Sequence, residues 1–232
     1  IPRAQACCFP SPGNHLQRYA GRLDAVEIDS SFYCAHRPAT YARWAATVPA
    51  GFHFAVKVPR EITHQRRLVE AEAVLVRFLG EVASLGDTLG PLLVQLPPSL
   101  AFEAASVARF FQTLRGHFPG AVACEPRHTS WLASEPEALL SSLQVARVAA
   151  DPPPNDGAAE PGGWPGLVYC RLHGSPRIYY SSYDGPALAR WAEKLRAAAA
   201  AGAEAWCILD NTAAGAAIPN ALYLRDLLAG PP

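Results

Sequence analysis

The chain has 232 residues, a length that fits one large domain, and half of its residues are hydrophobic while 17% are charged. That composition excludes a disordered chain and one built of membrane spans. Twenty basic side chains meet twenty acidic ones, so the sequence lacks the overall positive charge of a nucleic-acid or membrane-surface binder.

The repeated pattern along the chain is a short apolar, β-rich run that ends in polar residues and gives way to helical spacing. The runs are Asp24 to Asp29, Phe52 to Lys57, Pro91 to Leu96, Ala121 to Glu125, Val145 to Ala150, Leu167 to Leu172 and Ala205 to Leu209. Helical spacing fills Leu68 to Leu85, Val107 to Phe118 and the alanine-rich Leu188 to Ala201. Strand and helix in alternation predict a parallel sheet covered by helices, doubly wound or closed as a barrel. Residues 1–232 fit a single TIM-type (β/α)8 barrel domain. The chain opens Ile1-Pro2-Arg3 without methionine, and the first barrel strand is expected to be missing from it. Pro152 to Pro165 reads as a long loop. Arg177 to Asp184, with Tyr179, Tyr180 and Tyr183, reads as a polar aromatic loop over one end of the fold.

The six cysteines show no C-x-x-C spacing, and Cys124, Cys170 and Cys207 sit inside apolar runs, so buried free thiols are expected. Nothing reads as a signal peptide, lipidation motif or long apolar span, which places the protein in the cytoplasm and away from membranes.

Ligands of parallel α/β folds bind beyond the carboxyl ends of the strands. With side chains alternating at a period of two, Glu27 shares a face with Asp29, Lys57 with Ala55, Gln95 with Leu93, and Glu125 with Ala123 and Arg127. Asp151 shares a face with Ala149, and His173 with Arg171. Parity leaves Asp210 and Asn211 open. Unpaired buried charges are costly, so packing alone does not explain ionisable groups at nearly every strand end. Lys57 stands out because Lys194 is the only other lysine among twenty basic residues. A compact charge with a tunable pKa suits a phosphate or carboxylate contact, or proton transfer.

Several ordered segments carry a resemblance: Val26-Glu-Ile-Asp-Ser-Ser-Phe-Tyr33, Trp44 with Pro49 to Lys57, Ile62-Thr-His64, Gly90 to Pro98, Glu125-Pro-Arg-His-Thr-Ser-Trp131, Asp151, Tyr169-Cys-Arg-Leu-His-Gly174 and Asp210-Asn-Thr212. Together they resemble the YecE-like family, domain of unknown function 72. The resemblance implies a TIM-type barrel and no settled activity. The family commonly has Glu-Ile-Asn where this chain has Glu27-Ile28-Asp29, and family members usually begin with a Gly-rich strand that does not appear here.

The leading functional expectation is an enzyme that binds a small anionic substrate, phosphorylated or carboxylated, at the barrel mouth. Glu125, Glu27, Asp151 and His173 are the catalytic acid/base candidates, while Lys57, Gln95, Arg127, Arg171, Asn211 and Tyr183 bind substrate. No nucleophile elbow, P-loop or dinucleotide fingerprint is present, which leaves isomerase, lyase or hydrolase chemistry. The sequence requires no cofactor. The alternative is a divalent-metal phosphodiesterase, like a repair nuclease, with His64, His173, Glu27, Glu125 and Asp151 as ligands, although the interleaved arginines and lysine oppose a cation. A non-catalytic nucleic-acid-binding barrel is least favoured by the neutral charge. Nothing in the sequence sets an oligomeric state.

Overall fold

The computed structural model describes residues 1–154 and 156–230. Every apolar run found in the sequence forms a strand: β1 Ala25–Ile28, β2 His53–Lys57, β3 Leu89–Gln95, β4 Val122–Glu125, β5 Val145–Arg147, β6 Ala149–Asp151, then, after the short β7 Gly162–Gly163, β8 Leu167–Leu172 and β9 Glu204–Leu209. The helices are α1 His15–Ala20, α2 Pro38–Ala45, α3 Glu72–Val82, α4 Ala104–His117, α5 Ser134–Ser142, α6 Gly185–Ala200 and α7 Ala217–Ala229. Their starts are chemically marked. Asn14 and Gln17 form a capping box at α1, and the Glu103 and Asp184 side chains accept backbone N–H bonds at α4 and α6. Pro38 occupies the first turn of α2, where its missing N–H costs nothing.

Strands β1 to β5 pair in sequence order and in parallel, and β6, β8 and β9 form a second parallel sheet. Segments β5 and β6 are halves of one run that passes from the first sheet to the second. Between them the Val148 N–H still donates to Cys124 O at 2.9 Å. The expected alternation of parallel strands and covering helices is therefore present, but the sheets do not close into a barrel. Among the described residues β1 pairs only with β2 and β9 only with β8. A cavity of about 1090 Å³ lies between those two edges, walled by Val26, Trp206, Ile208, Leu195 and Leu224.

Alternation splits the core into two layers. Outward residues such as Phe54, Val56, Leu92, Val94 and Val122 pack against Leu75, Phe78, Phe111 and Leu114 of the helices. The inner layer holds Ala55, Leu93, Ala123, Ala146 and Val148, with Tyr169 and Trp206 stacked at 6.1 Å in the space the alanines leave. The Pro152 to Pro165 stretch replaces a helix, as expected, although Asn155 lies outside the described residues. Arg147 ties it down by donating to the carbonyls of Gly157 and Glu160 while pairing with Glu137, and β7 adds antiparallel bonds to β5. No helix among the described residues is long and apolar enough to cross a membrane.

Candidate functional site

The inner layer continues directly into the charged residues at the strand ends. Glu27, Lys57, Gln95, Glu125, Arg171 and Asp210 each stand two positions after an inner residue, namely Ala25, Ala55, Leu93, Ala123, Tyr169 and Ile208. Arg171 is at the centre. Its Nη2 donates to Glu27 Oε1 at 2.7 Å, its Nε to Glu27 Oε2 at 3.2 Å and its Nη1 to Glu125 Oε2 at 2.8 Å. Asp210 Oδ2 lies 3.5 Å from Nη2. Gln95 Nε2 donates to Glu125 Oε2 at 3.1 Å, and the Tyr169 hydroxyl donates to Glu27 Oε2 at 2.8 Å. The side chains of Arg171, Glu27 and Glu125 are almost wholly buried. Burial alone would raise the Glu125 carboxyl, but Arg171, the His173 hydrogen bond and Arg127 hold it well below the usual carboxylate range. Burial and Glu27 push the Tyr169 phenol well above its ordinary value, so it stays a donor.

His173 joins this network on one side. Its Nδ1–H donates to Asp210 Oδ2 at 3.0 Å, and its Nε2 lies 3.4 Å from Glu125 Oε1. Burial lowers the imidazole pKa, but the contacts with Asp210 and Glu125 outweigh that and raise it above the ordinary value. The Tyr179 ring stands edge-on to the imidazole at 5.9 Å. The result is a histidine oriented by one carboxylate, facing another, and charged more readily than in water, an arrangement suited to donating a proton.

Arg127 carries the network outward. Its Nη2 donates to Glu125 Oε1 at 2.8 Å, the same oxygen that faces His173. Lys57 Nζ pairs with Asp29 Oδ1 at 2.7 Å and lies 4.2 Å from the centre of the Phe32 ring. His64 packs edge-on to that same ring at 5.0 Å, and its Nδ1 meets Thr63 Oγ1 at 2.9 Å. His64 is placed by a single π-helical turn, Glu61–Gln65, whose Ile62 and Thr63 are buried; such turns recur at functional sites. Burial, and then the charges of Lys57, Arg60 and Arg127, hold the His64 imidazole below its usual pKa. Lys57, His64 and Arg127 thus gather on one side of the mouth, with the Asp29 carboxylate paired to Lys57 among them, while Glu27, Glu125 and Asp210 surround Arg171.

Three expected site residues are placed elsewhere. Asp151 pairs in register with Leu172 of the outer layer, whereas Ala150 pairs with Arg171. Alternation along the run is unbroken, with Ala146 and Val148 in the inner layer and Val145 and Ala149 packed outward, so Asp151, on the face of Ala149, falls on the helix-facing row. Tyr183 is buried with α6, its hydroxyl donating to Asp151 O and accepting from Gly174 N, both at 2.9 Å. Asn211 is wholly buried and donates to Ser181 O and Asn220 Oδ1, each at 2.9 Å. Both shape the loop and do not line the mouth, and Asp210 takes the inward position that parity left open. The alternative metal ligands His64, His173, Glu27, Glu125 and Asp151 do not converge. Among the described residues no three His, Cys, Asp or Glu side chains are grouped to hold a metal ion, and the Glu27 and Glu125 oxygens are engaged by Arg171. Sequence reasoning passed over Tyr169, Phe32 and Arg60. Tyr169 could have been found by its two-residue spacing from Arg171, and Arg60 by its place just after a strand end, while nothing in the sequence marks the ring of Phe32 as shared.

The family model for "Protein of unknown function DUF72" matches residues 9–231, and the chain belongs to that family. It is similar to UPF0759 protein YecE of Escherichia coli (strain K12), with 28% identity over 53% of this chain and 44% of the relative. It is also similar to UPF0759 protein YunF of Bacillus subtilis (strain 168), with 30% identity over 50% of this chain and 43% of the relative. Each match thus spans less than half the relative's length. Solved DUF72 family proteins share the fold. One from Enterococcus faecalis superposes with a TM-score of 0.81 at 22% identity, covering 94% of this chain and 90% of that one. One from Thermotoga maritima superposes with a TM-score of 0.76 at 22% identity, covering 95% and 92%.

Proposed function

We propose that this DUF72 protein binds a small anionic group, a phosphate or carboxylate, between Lys57, His64 and Arg127, and that the neighbouring His173–Asp210 pair exchanges a proton with the bound molecule. The observation that carries this reading is that Lys57 and His64 pack on the one Phe32 ring, with the charge of Arg127 also acting on His64. An anion there gains charge-assisted hydrogen bonds in a partly desolvated site. Arg171, Glu27 and Glu125 satisfy one another and act as a rigid base that positions Arg127 and His173. The chemistry that fits the pair is proton transfer, as in isomerisation, elimination or hydrolysis.

The same reading takes the fold as a (β/α)8-type barrel with one strand position open, supported by the apolar cavity between the facing edges of β1 and β9. It takes the cytoplasm as the place of action, supported by six free cysteines.

Titration with inorganic phosphate, followed by NMR of the His64 imidazole, tests the proposal. A bound anion stabilises the imidazolium, so the His64 pKa rises with phosphate. Lys57→Met and Arg127→Ala should each weaken binding about tenfold or more, the worth of a charged hydrogen bond. An imidazole whose titration is indifferent to phosphate in the tens of millimolar range refutes the reading.

A further inference from the structure

Large apolar side chains left in water are unevenly distributed. Among the described residues, Tyr33, Val69, Ile178, Tyr179 and Tyr180 belong to loops that follow the carboxyl ends of β1, β2 and β8, whereas Val76, Tyr223 and Leu228 lie on helices. Tyr33 is the most exposed of them at 67%. It is also linked to Lys57 and His64 through a shared neighbour. Its ring meets Phe32 edge-on at 5.0 Å, and Phe32 touches both Lys57 and His64.

The backbone that carries Tyr33 is fixed. The 3-10 turn Ser30–Phe32 holds it, closed by the bonds from Phe32 N to Asp29 O and from Tyr33 N to Ser30 O, each 3.1 Å. The buried Ser31 hydroxyl bonds to Ile28 O at 2.9 Å and Lys57 O at 2.7 Å, locking that turn to the ends of β1 and β2. An aromatic side chain held in water beside a cationic pocket is a preorganised stacking surface, which loses little entropy when a second ring settles on it.

We infer that the molecule bound at this mouth carries its anionic group on, or one bond away from, a planar unsaturated ring, with the anion at Lys57, His64 and Arg127 and the ring on Tyr33. The substrate class is an aryl or heteroaryl phosphate or carboxylate. This inference rests on the anion site proposed above and adds the ring. On the far side of the mouth the Arg177 guanidinium lies 3.9 Å from the centre of the Tyr180 ring, so that aromatic face is already occupied.

The experiment compares phenyl phosphate with inorganic phosphate in the intact protein, again read at the His64 imidazole. Phenyl phosphate is expected to bind about tenfold more tightly, the typical worth of one stacked ring. Tyr33→Ala should remove that advantage and shift the inorganic phosphate affinity less than twofold, and Tyr33→Phe should restore it. If inorganic phosphate and phenyl phosphate both fail to bind, the anion site itself is refuted. If both bind equally, or Tyr33→Ala weakens both alike, the anion site stands and the ring inference is overturned. Tight binding of a short oligothymidylate without binding of phenyl phosphate also overturns it.

Discussion

Replacing Arg171 by methionine tests the buried base of the site most directly. The guanidinium makes contacts of 2.7, 3.2 and 2.8 Å to Glu27 and Glu125, whose side chains are 4% and 2% exposed. Methionine fills much of the volume but leaves two buried carboxylates facing one another. Breaking a buried pair by removing one partner costs about 3–5 kcal/mol, a large part of the roughly 5–15 kcal/mol that holds a domain folded. At about 2–4 °C per kcal/mol for a chain of this size, the melting temperature falls by roughly 6–20 °C.

The pH dependence carries the sharper signature. In the wild type the Glu125 pKa is depressed, so its stabilisation is present above the unfolded value of about 4.3 and is lost as pH falls below it. Without Arg171 the largest charge that lowers it is gone while Arg127 and His173 remain, so the Glu125 pKa rises and the variant gains less stability than the wild type as pH rises through about 4. Urea unfolding at pH 5 and pH 7, monitored by fluorescence and circular dichroism together, measures both effects. The triple variant with Glu27→Gln and Glu125→Gln, having no Glu125 carboxylate to titrate, should lose that part of the slope altogether. A variant within 1 kcal/mol of wild type, or one with an unchanged pH slope, would refute the ion-cluster account.

Other outcomes follow from the same geometry. His173 has a raised pKa, so its contribution to stability is full below the unfolded value of about 6.5 and is lost as pH rises through the higher folded value. Asp210→Asn should lower the His173 titration midpoint seen by NMR and flatten that dependence. His64 moves the opposite way. Lys57→Met removes one of the charges that depress it, so its midpoint should rise toward 6.5 in the absence of any anion. Tyr183→Phe strands the Gly174 N–H, while Asp151 O keeps the bond from His173 N, costing about 1–3 kcal/mol in urea unfolding while leaving phosphate binding unchanged. A loss of phosphate binding there would return Tyr183 to the mouth.

Most of the site was legible because strand alternation is a strict two-residue rule. Glu27, Lys57, Gln95, Glu125, Arg171 and His173 all fall where counting from apolar neighbours places them. The rule also held for Asp151, which shares the face of Ala149, but that face is the helix-facing one, and counting within Ala149–Asp151 alone does not say which face is inner. It stalled at Asp210 and Asn211 because the face that counting selects at a strand's last residues depends on which core layer the strand joins. Tyr183 carried the aromatic, polar chemistry of a mouth residue, yet two backbone partners draw it beneath the loop.

The sequence by itself determined the βα alternation, the strand positions and the concentration of charge at one end of the sheets, since each follows from local periodicity and burial cost. Only the tertiary structure decided which charges neutralise one another. Arg171 is consumed by two carboxylates from β1 and β4, while Lys57 at the end of β2, His64 and Arg127 are brought together from separate segments. Charge pairing depends on distances of a few ångströms between residues far apart in the chain, and no pattern along one strand encodes them.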